Sequence, residues 1–234
     1  MGAAQLRIST KSGAIPEKDI VAAAGIEKRS AFSKALSLIS GRVGELFNAS
    51  DIARDCGVDV TTIQSWVSIL QQNGLLRELQ PYFSNINKRL IKSPKIYFED
   101  VALAARLQGW TSFEPLMVSP AYGHLLENVA ISEVARFFTN QGHIPKIFYL
   151  RSKEKVEIDL LIFLPNQRTI AAEIKSTTQS FSSDQLRLLD TLELNIVERW
   201  VITSTKSDVS PSNARLVAFD QIWTELHRIF NQMP

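Results

Sequence analysis

The sequence predicts an α/β protein in which a helical unit with two short strands precedes a mixed central sheet flanked by helices. Three observations carry this. "NASDIARDCGVDVTTIQSWVSILQQNGLL", residues 48–76, reads as a short helix, a turn at Gly57 and a longer helix, the helix-turn-helix layout. "AYGHLLENVAISEVARFFTNQG", residues 121–142, repeats apolar positions at helical spacing over an unusually long stretch. Beyond it, apolar runs follow in the order strand, strand, strand, helix, strand, the order of an α/β domain. At 234 residues the chain has room for two domains, each with its own core.

Residues 1–28 are polar and rich in Ala, Gly and Lys, and read as a tail or the remnant of a preceding element. A winged helix-turn-helix domain is expected over 29–112. Its first helix sets Phe32, Leu36 and Ile39 on one stripe, with Gly41 and Gly44 available to end it. Ser50 is expected to cap the second helix. Asp59 is expected to cap the third, which carries Ile63, Trp66, Val67 and Leu70 inward and stops at Gly74. "LLREL" and "KIYFE" read as the two strands of the wing around a basic loop, and residues 100–107 as one more short helix. "GWTSFEPLMVSP" has the glycine and prolines of a linker, which sets the boundary before an α/β domain over 118–234. There the long helix turns Leu125, Val129, Ser132, Val134, Ala135 and Phe138 inward. "KIFYL", "VEIDLLIFL" and "TIAAEIK" form an antiparallel meander, followed by a helix at "SSDQLRLLDTLE", strands at "RWVITS" and "RLVAF" and a closing helix at "DQIWTELHRIF".

Composition narrows the function classes. The longest apolar run, "LLIFL", falls far short of the ~20 residues that cross a membrane, so no membrane partner is expected. The N-terminal stretch lacks the apolar core of a secretory leader, and a cytoplasmic address is expected. The single cysteine, Cys56, excludes an internal disulfide and a cysteine zinc site, and is expected to be a small core residue. His124, His143 and His227 lack ligand spacing, so any metal must be held by oxygen. A net charge of +2 gives no bulk case for nucleic-acid binding, which therefore needs a local patch.

The sharpest local feature is charge inside two apolar strands. Side chains alternate faces along a strand, so Glu157 shares a face with Asp159, and Glu173 with Lys175. A three-residue loop at Pro165, Asn166 and Gln167 sets Leu164 opposite Arg168, Asp159 opposite Glu173, and Glu157 opposite Lys175. A two-residue loop sends the pairs to opposite faces. Directly opposed residues have Cβ atoms ~4.5–5.5 Å apart, so the first register builds two carboxylates into a pocket of metal-binding size beside a lysine. A Glu-x-Lys strand alone is most often a solvated ion-pair face. Here Asp159 and an inward-capable Glu127 on the preceding helix favour a site, since a divalent cation relieves opposed like charges.

"GHLLENVAISEV", "EID" and "AAEIKS" resemble the helix glutamate, acidic strand residue and (D/E)-x-K of the PD-(D/E)XK nuclease superfamily, which includes many restriction endonucleases and Holliday-junction resolvases. Over residues 30–205 the order of motifs is similar to the C-terminal half of bacterial and archaeal AAA-type ATPases that carry a domain of unknown function with this nuclease-like core. The resemblance implies a restriction-endonuclease-like α/β domain in which Asp159 and Glu173 hold Mg²⁺ or Mn²⁺, with Glu127 completing the shell. It implies further that Lys175 positions or deprotonates the attacking water while the metal stabilises charge on the phosphate, so Glu127, Asp159, Glu173 and Lys175 form the catalytic set. Glu157 and Gln185 are accessory candidates. The chain contains no G-x-x-x-x-G-K-[ST], so no ATP site is expected in it.

Lys88, Arg89, Lys92 and Lys95, with Tyr82, Phe83 and Tyr97 nearby, make the one clear basic patch and are expected to contact phosphates of nucleic acid, DNA above all. The third helix lacks Lys and Arg, leaving Thr61, Thr62, Gln64 and Ser65 as the side chains able to reach a groove. The expected function is a Mg²⁺-dependent, nucleic-acid-binding module that hydrolyses phosphodiester bonds. The alternative is a non-catalytic assembly or regulatory module, docking on an ATPase domain or a second copy of the chain, with a vestigial nuclease core.

Overall fold

The computed structural model describes residues 28–82, 93–204 and 211–231. It is a mixed α/β protein with a mixed sheet, in agreement with the expected fold class. The expected N-terminal tail lies outside the described residues apart from Lys28. Two compact units form, one from residues 28–78 and 94–125, the other from 79–82, 93, 126–204 and 211–231.

In the first unit, helix α1 (Arg29–Gly41) buries Phe32, Leu36 and Ile39 as its spacing predicts. Helix α2 (Ala49–Cys56) is capped by Asn48, not Ser50. The Asn48 carboxamide oxygen accepts from the Ser50 and Asp51 amides at 3.0 and 3.4 Å, because its extended backbone places the side chain ahead of the first turn. Asn48→Ala should therefore cost about 1 kcal/mol, read as a lower urea midpoint at unchanged slope. Gly57, at φ +67°, ends α2 in the left-handed conformation. Helix α3 (Val60–Gln72) turns Ile63, Trp66, Val67 and Leu70 inward, and Trp66 meets Phe32 edge-on at 5.3 Å. Asp59 precedes α3 in extended backbone but makes no capping bond from its side chain. Strands β1 (Leu76–Leu79) and β2 (Lys95–Phe98) pair in a two-stranded sheet, and helix α4 (Val101–Leu107), capped by Asp100, follows. The expected linker contains a short helix, α5 (Phe113–Met117), since Leu116 finds a fully buried position. Cys56 is half-buried rather than a core residue, at the end of α2.

Helix α6 (Ala121–Asn140), which belongs to the second unit from Leu126 onward, buries a broader face than predicted. Leu126, Ala130, Ile131 and Phe137 join Leu125, Ser132, Val134, Ala135 and Phe138, while Val129 is only half-buried. The sheet runs in the order β3 (Ile147–Arg151), β4 (Glu157–Phe163), β5 (Arg168–Lys175), β6 (Asn195–Thr203), β7 (Arg215–Ala218). β3, β4 and β5 form the predicted antiparallel meander, and β6 and β7 add in parallel. Between β5 and β6 lies helix α7 (Ser183–Asp190), closed by a reciprocal Ser182/Gln185 capping box. One apolar cluster joins Leu161, Ala171 and Val201 of adjacent strands to Leu189 of α7, with Phe181 and Leu192 flanking. Helix α8 (Ile222–Asn231) packs on α6, where Phe137 meets Trp223 and Phe230 edge-on, each at 6.0 Å.

Residues 80–82, which follow β1, belong to this second unit. Pro81 bridges to Tyr149 in parallel, Tyr82 N donates to Tyr149 O at 2.7 Å, and the Tyr82 ring stacks on Phe163 at 5.3 Å. The Tyr149 hydroxyl donates to the Ser93 carbonyl. The two units are thus interleaved in sequence, where the sequence reading draws continuous domains. Among the described residues no helix is long and apolar enough to cross a membrane.

Candidate functional site

The β4–β5 register decides whether the four charged strand residues meet. Leu160 pairs with Ala172, Leu161 with Ala171 and Phe163 with Thr169. Leu164 N donates to Arg168 O at 2.8 Å, which closes the three-residue loop the sequence analysis required. Asn166 and Gln167 turn the chain at φ +59° and +56°. The same register sets Asp159 opposite Glu173 on the face that carries Leu161 and Ala171. Their carboxylates therefore continue an apolar row at its end, and are buried, Asp159 at 8% exposure and Glu173 at 2%.

Backbone and ammonium donors hold the pair. Asp159 Oδ2 accepts from Ile174 N at 2.8 Å, and Glu173 Oε1 accepts from Asp159 N at 3.3 Å. The Lys175 Nζ stands between the two carboxylates, 3.1 Å from Asp159 Oδ2 and 2.9 Å from Glu173 Oε2. Burial, and then the neighbouring Asp159 charge, pushes the Glu173 carboxyl up to about 7 despite opposing contributions from Lys175 and Gln185. Burial pulls the Lys175 ammonium down, but the two carboxylates outweigh it and its net shift is upward.

Glu127, from α6, reaches the same place. One carboxylate oxygen each from Glu127, Glu157 and Asp159 lie within 4.8 Å of one another. This tight group takes in Glu157, an accessory candidate, and leaves out Glu173, which is turned to Lys175 and the Asp159 amide. Gln185 lies at the site as well: its amide donates to Glu157 O at 2.9 Å, while its oxygen accepts from Ser182 N at 2.8 Å in the cap of α7. Arg151, missed in the sequence, ends β3 opposite Glu157 and bonds its carboxylate at 2.7 Å. An arginine six residues before an acidic strand start carries no spacing signal, because only the antiparallel turn brings the two together. The three clustered donors are carboxylate oxygens from one helix and one strand, a group that could hold a metal ion.

The expected nucleic-acid contacts divide. Lys88, Arg89 and Lys92, with Phe83, lie outside the described residues. Lys95 is only 2% exposed, so its expected phosphate contact is not available. It starts a strand whose four residues are all buried, and it bridges to Leu46. Tyr97 is buried in the same strand. Thr61, Gln64 and Ser65 are exposed on α3, and Thr62 is half-buried.

Comparison with known proteins places these units in context. Residues 3–114 match the family model described as Domain of unknown function (DUF8612). Residues 122–220 match Domain of unknown function (DUF4143), which is found in the C-terminal region of AAA-ATPase-like proteins. The uncharacterized proteins Mb2031c of Mycobacterium bovis and Rv2008c of Mycobacterium tuberculosis are each 30% identical to the chain over 154 residues, 66% of this chain and 34% of the relative. The chain thus spans about a third of the length of the curated relatives it matches. No solved structure matches it.

Proposed function

We propose that the second unit is a divalent-metal-dependent nuclease-like module of PD-(D/E)XK type that hydrolyses phosphodiester bonds of DNA, and that it works in an AAA-type ATPase setting. The observation that carries this reading is the pair Asp159 and Glu173, opposed across one hairpin register with the Lys175 ammonium 3.1 and 2.9 Å from them. Asp159 and Glu173, with Glu127 and Glu157 beside them, would hold Mg²⁺ or Mn²⁺. When bound, such an ion supplies charge stabilisation at a phosphoryl oxygen and a more acidic water. Lys175, fixed by two carboxylates, is placed to orient a water by donating a hydrogen bond to its oxygen once a carboxylate releases the ammonium. Burial of the carboxylates keeps bulk water from screening them. The first unit, read as a winged helix-turn-helix, would lie along the duplex through Thr61, Gln64 and Ser65.

One observation favours a second reading. The Lys175 ammonium already partly offsets the opposed carboxylates, as in a closed structural ion-pair group, and this suits a non-catalytic assembly module. Incubation of supercoiled plasmid with Mn²⁺ separates the two. Nicking by the parent that falls at least a hundredfold in Lys175→Ala and in Glu173→Gln is the expected result. A parent that leaves plasmid intact, and whose melting temperature ignores Mn²⁺, supports the assembly reading.

A further inference from the structure

Next to the candidate site, the turn between β3 and β4 carries a basic cluster that neither the carboxylates nor the helical unit accounts for. It is rooted by Ser152, whose amide donates to Val156 O at 2.9 Å and whose hydroxyl accepts from Val156 N at 3.3 Å. Lys155 N donates back to Ser152 O at 3.1 Å. Lys153, Glu154 and Lys155 are all exposed. Lys155 holds φ +67°, a left-handed conformation that favours glycine and is uncommon for a long side chain. At the foot of the turn, Arg151 bonds Glu157 through Nη1 and keeps 28% of its side chain exposed.

We propose that Arg151, Lys153 and Lys155 form a contact for the phosphodiester backbone, which seats a DNA strand against the neighbouring carboxylates. The proposal rests on the nucleic-acid reading above and moves its principal cationic surface to this hairpin. Cations at alternate positions suit phosphate contact without base reading; Glu157 offsets Arg151 and Glu154 one of the two lysines, which leaves the turn net cationic. Arg151 is the innermost contact: Glu157 orients its guanidinium, and Glu157 belongs to the carboxylate group around Asp159. A guanidinium oriented by one carboxylate has further N–H donors that suit a phosphate oxygen.

The test is binding of the full chain to short duplex DNA in EDTA, read by fluorescence anisotropy over a salt series, so that no cleavage is needed. Lys155→Gly removes a cation while easing the backbone. It should melt at or above the parent temperature, bind on the order of five- to tenfold more weakly on unrelated sequences, and show a salt slope shallower by about one. Arg151→Gln should weaken binding likewise. Glu157→Gln should tighten it, whereas a merely structural Arg151 ion pair would make both variants behave alike. If the parent binds and Lys155→Gly and Arg151→Gln bind equally well, the hairpin contact is overturned and the nucleic-acid reading survives. A parent that binds no duplex overturns both.

Discussion

Replacing Lys175 by methionine is expected to lower the unfolding free energy by about 2–3 kcal/mol at pH 8 and by far less at pH 5. At pH 8 the variant keeps two opposed, buried carboxylates without their ammonium. Breaking a buried pair costs roughly 3–5 kcal/mol, reduced here because Lys175 is itself 33% exposed. The pH dependence follows from Glu173, whose carboxyl burial raises to about 7 from an ordinary 4.5. Between those values the folded chain binds a proton that the unfolded chain lacks. That stability is present in full below about 4.5 and is lost as pH rises through about 7. Without Lys175 one influence that lowers Glu173 is gone, its carboxyl moves higher still, and the variant tolerates pH 5 by carrying the proton. Urea unfolding of both proteins at pH 5, 6, 7 and 8 measures this. An equal loss at every pH would mean that protonation of Glu173 is not what relieves the loss of the ammonium.

Asp159→Asn should abolish the response to metal while changing metal-free stability little. The asparagine oxygen can still accept from Ile174 N, and Lys175 then pairs with Glu173 alone. Lost attraction to Lys175 and relieved repulsion with Glu173 oppose each other, which leaves a net change within about 1 kcal/mol, on the stabilising side if repulsion dominates. With Mn²⁺ a hundredfold above its dissociation constant the parent should gain about 2.7 kcal/mol, a shift of several degrees in melting temperature, and the variant almost none. Plasmid nicking should fall with it. A destabilised asparagine variant, from a parent whose melting temperature is the same with and without Mn²⁺, would make Asp159 a structural anchor.

Much of this arrangement was legible because it follows from local periodicity. Period two along β4 and β5, with a three-residue loop, was enough to oppose Asp159 and Glu173, and the 3.6-residue stripe of α3 named its buried face. What escaped depends on contacts distant in sequence. Lys95 looks like part of a basic patch until pairing buries it at the start of β2, and a lysine in a stretch of lysines gives no sign of that. Arg151 acquires meaning only through the antiparallel return to Glu157. Glu157 stands only as an accessory candidate in the sequence, because strand alternation sets it on the right face but says nothing of how near a helix side chain such as Glu127 approaches. Asn48, not Ser50, caps α2, and the sequence does not decide between them because both are good cap formers two positions apart.

The excursion of residues 79–82 and 93 into the second unit bears on heredity. A unit that begins at residue 118 would be a self-contained cassette, free to be fused, duplicated or lost by cuts at its two ends. This one draws Pro81 and Tyr82 from between two strands of the other unit to line the outer edge of β3 and cover Phe163. Recombination at any single point between 94 and 125 separates the sheet from its border strip. Lineages should therefore exchange the two units together or refill that edge with new sequence, and a shortened gene starting at the long helix should yield a protein whose β3 edge invites pairing with other chains.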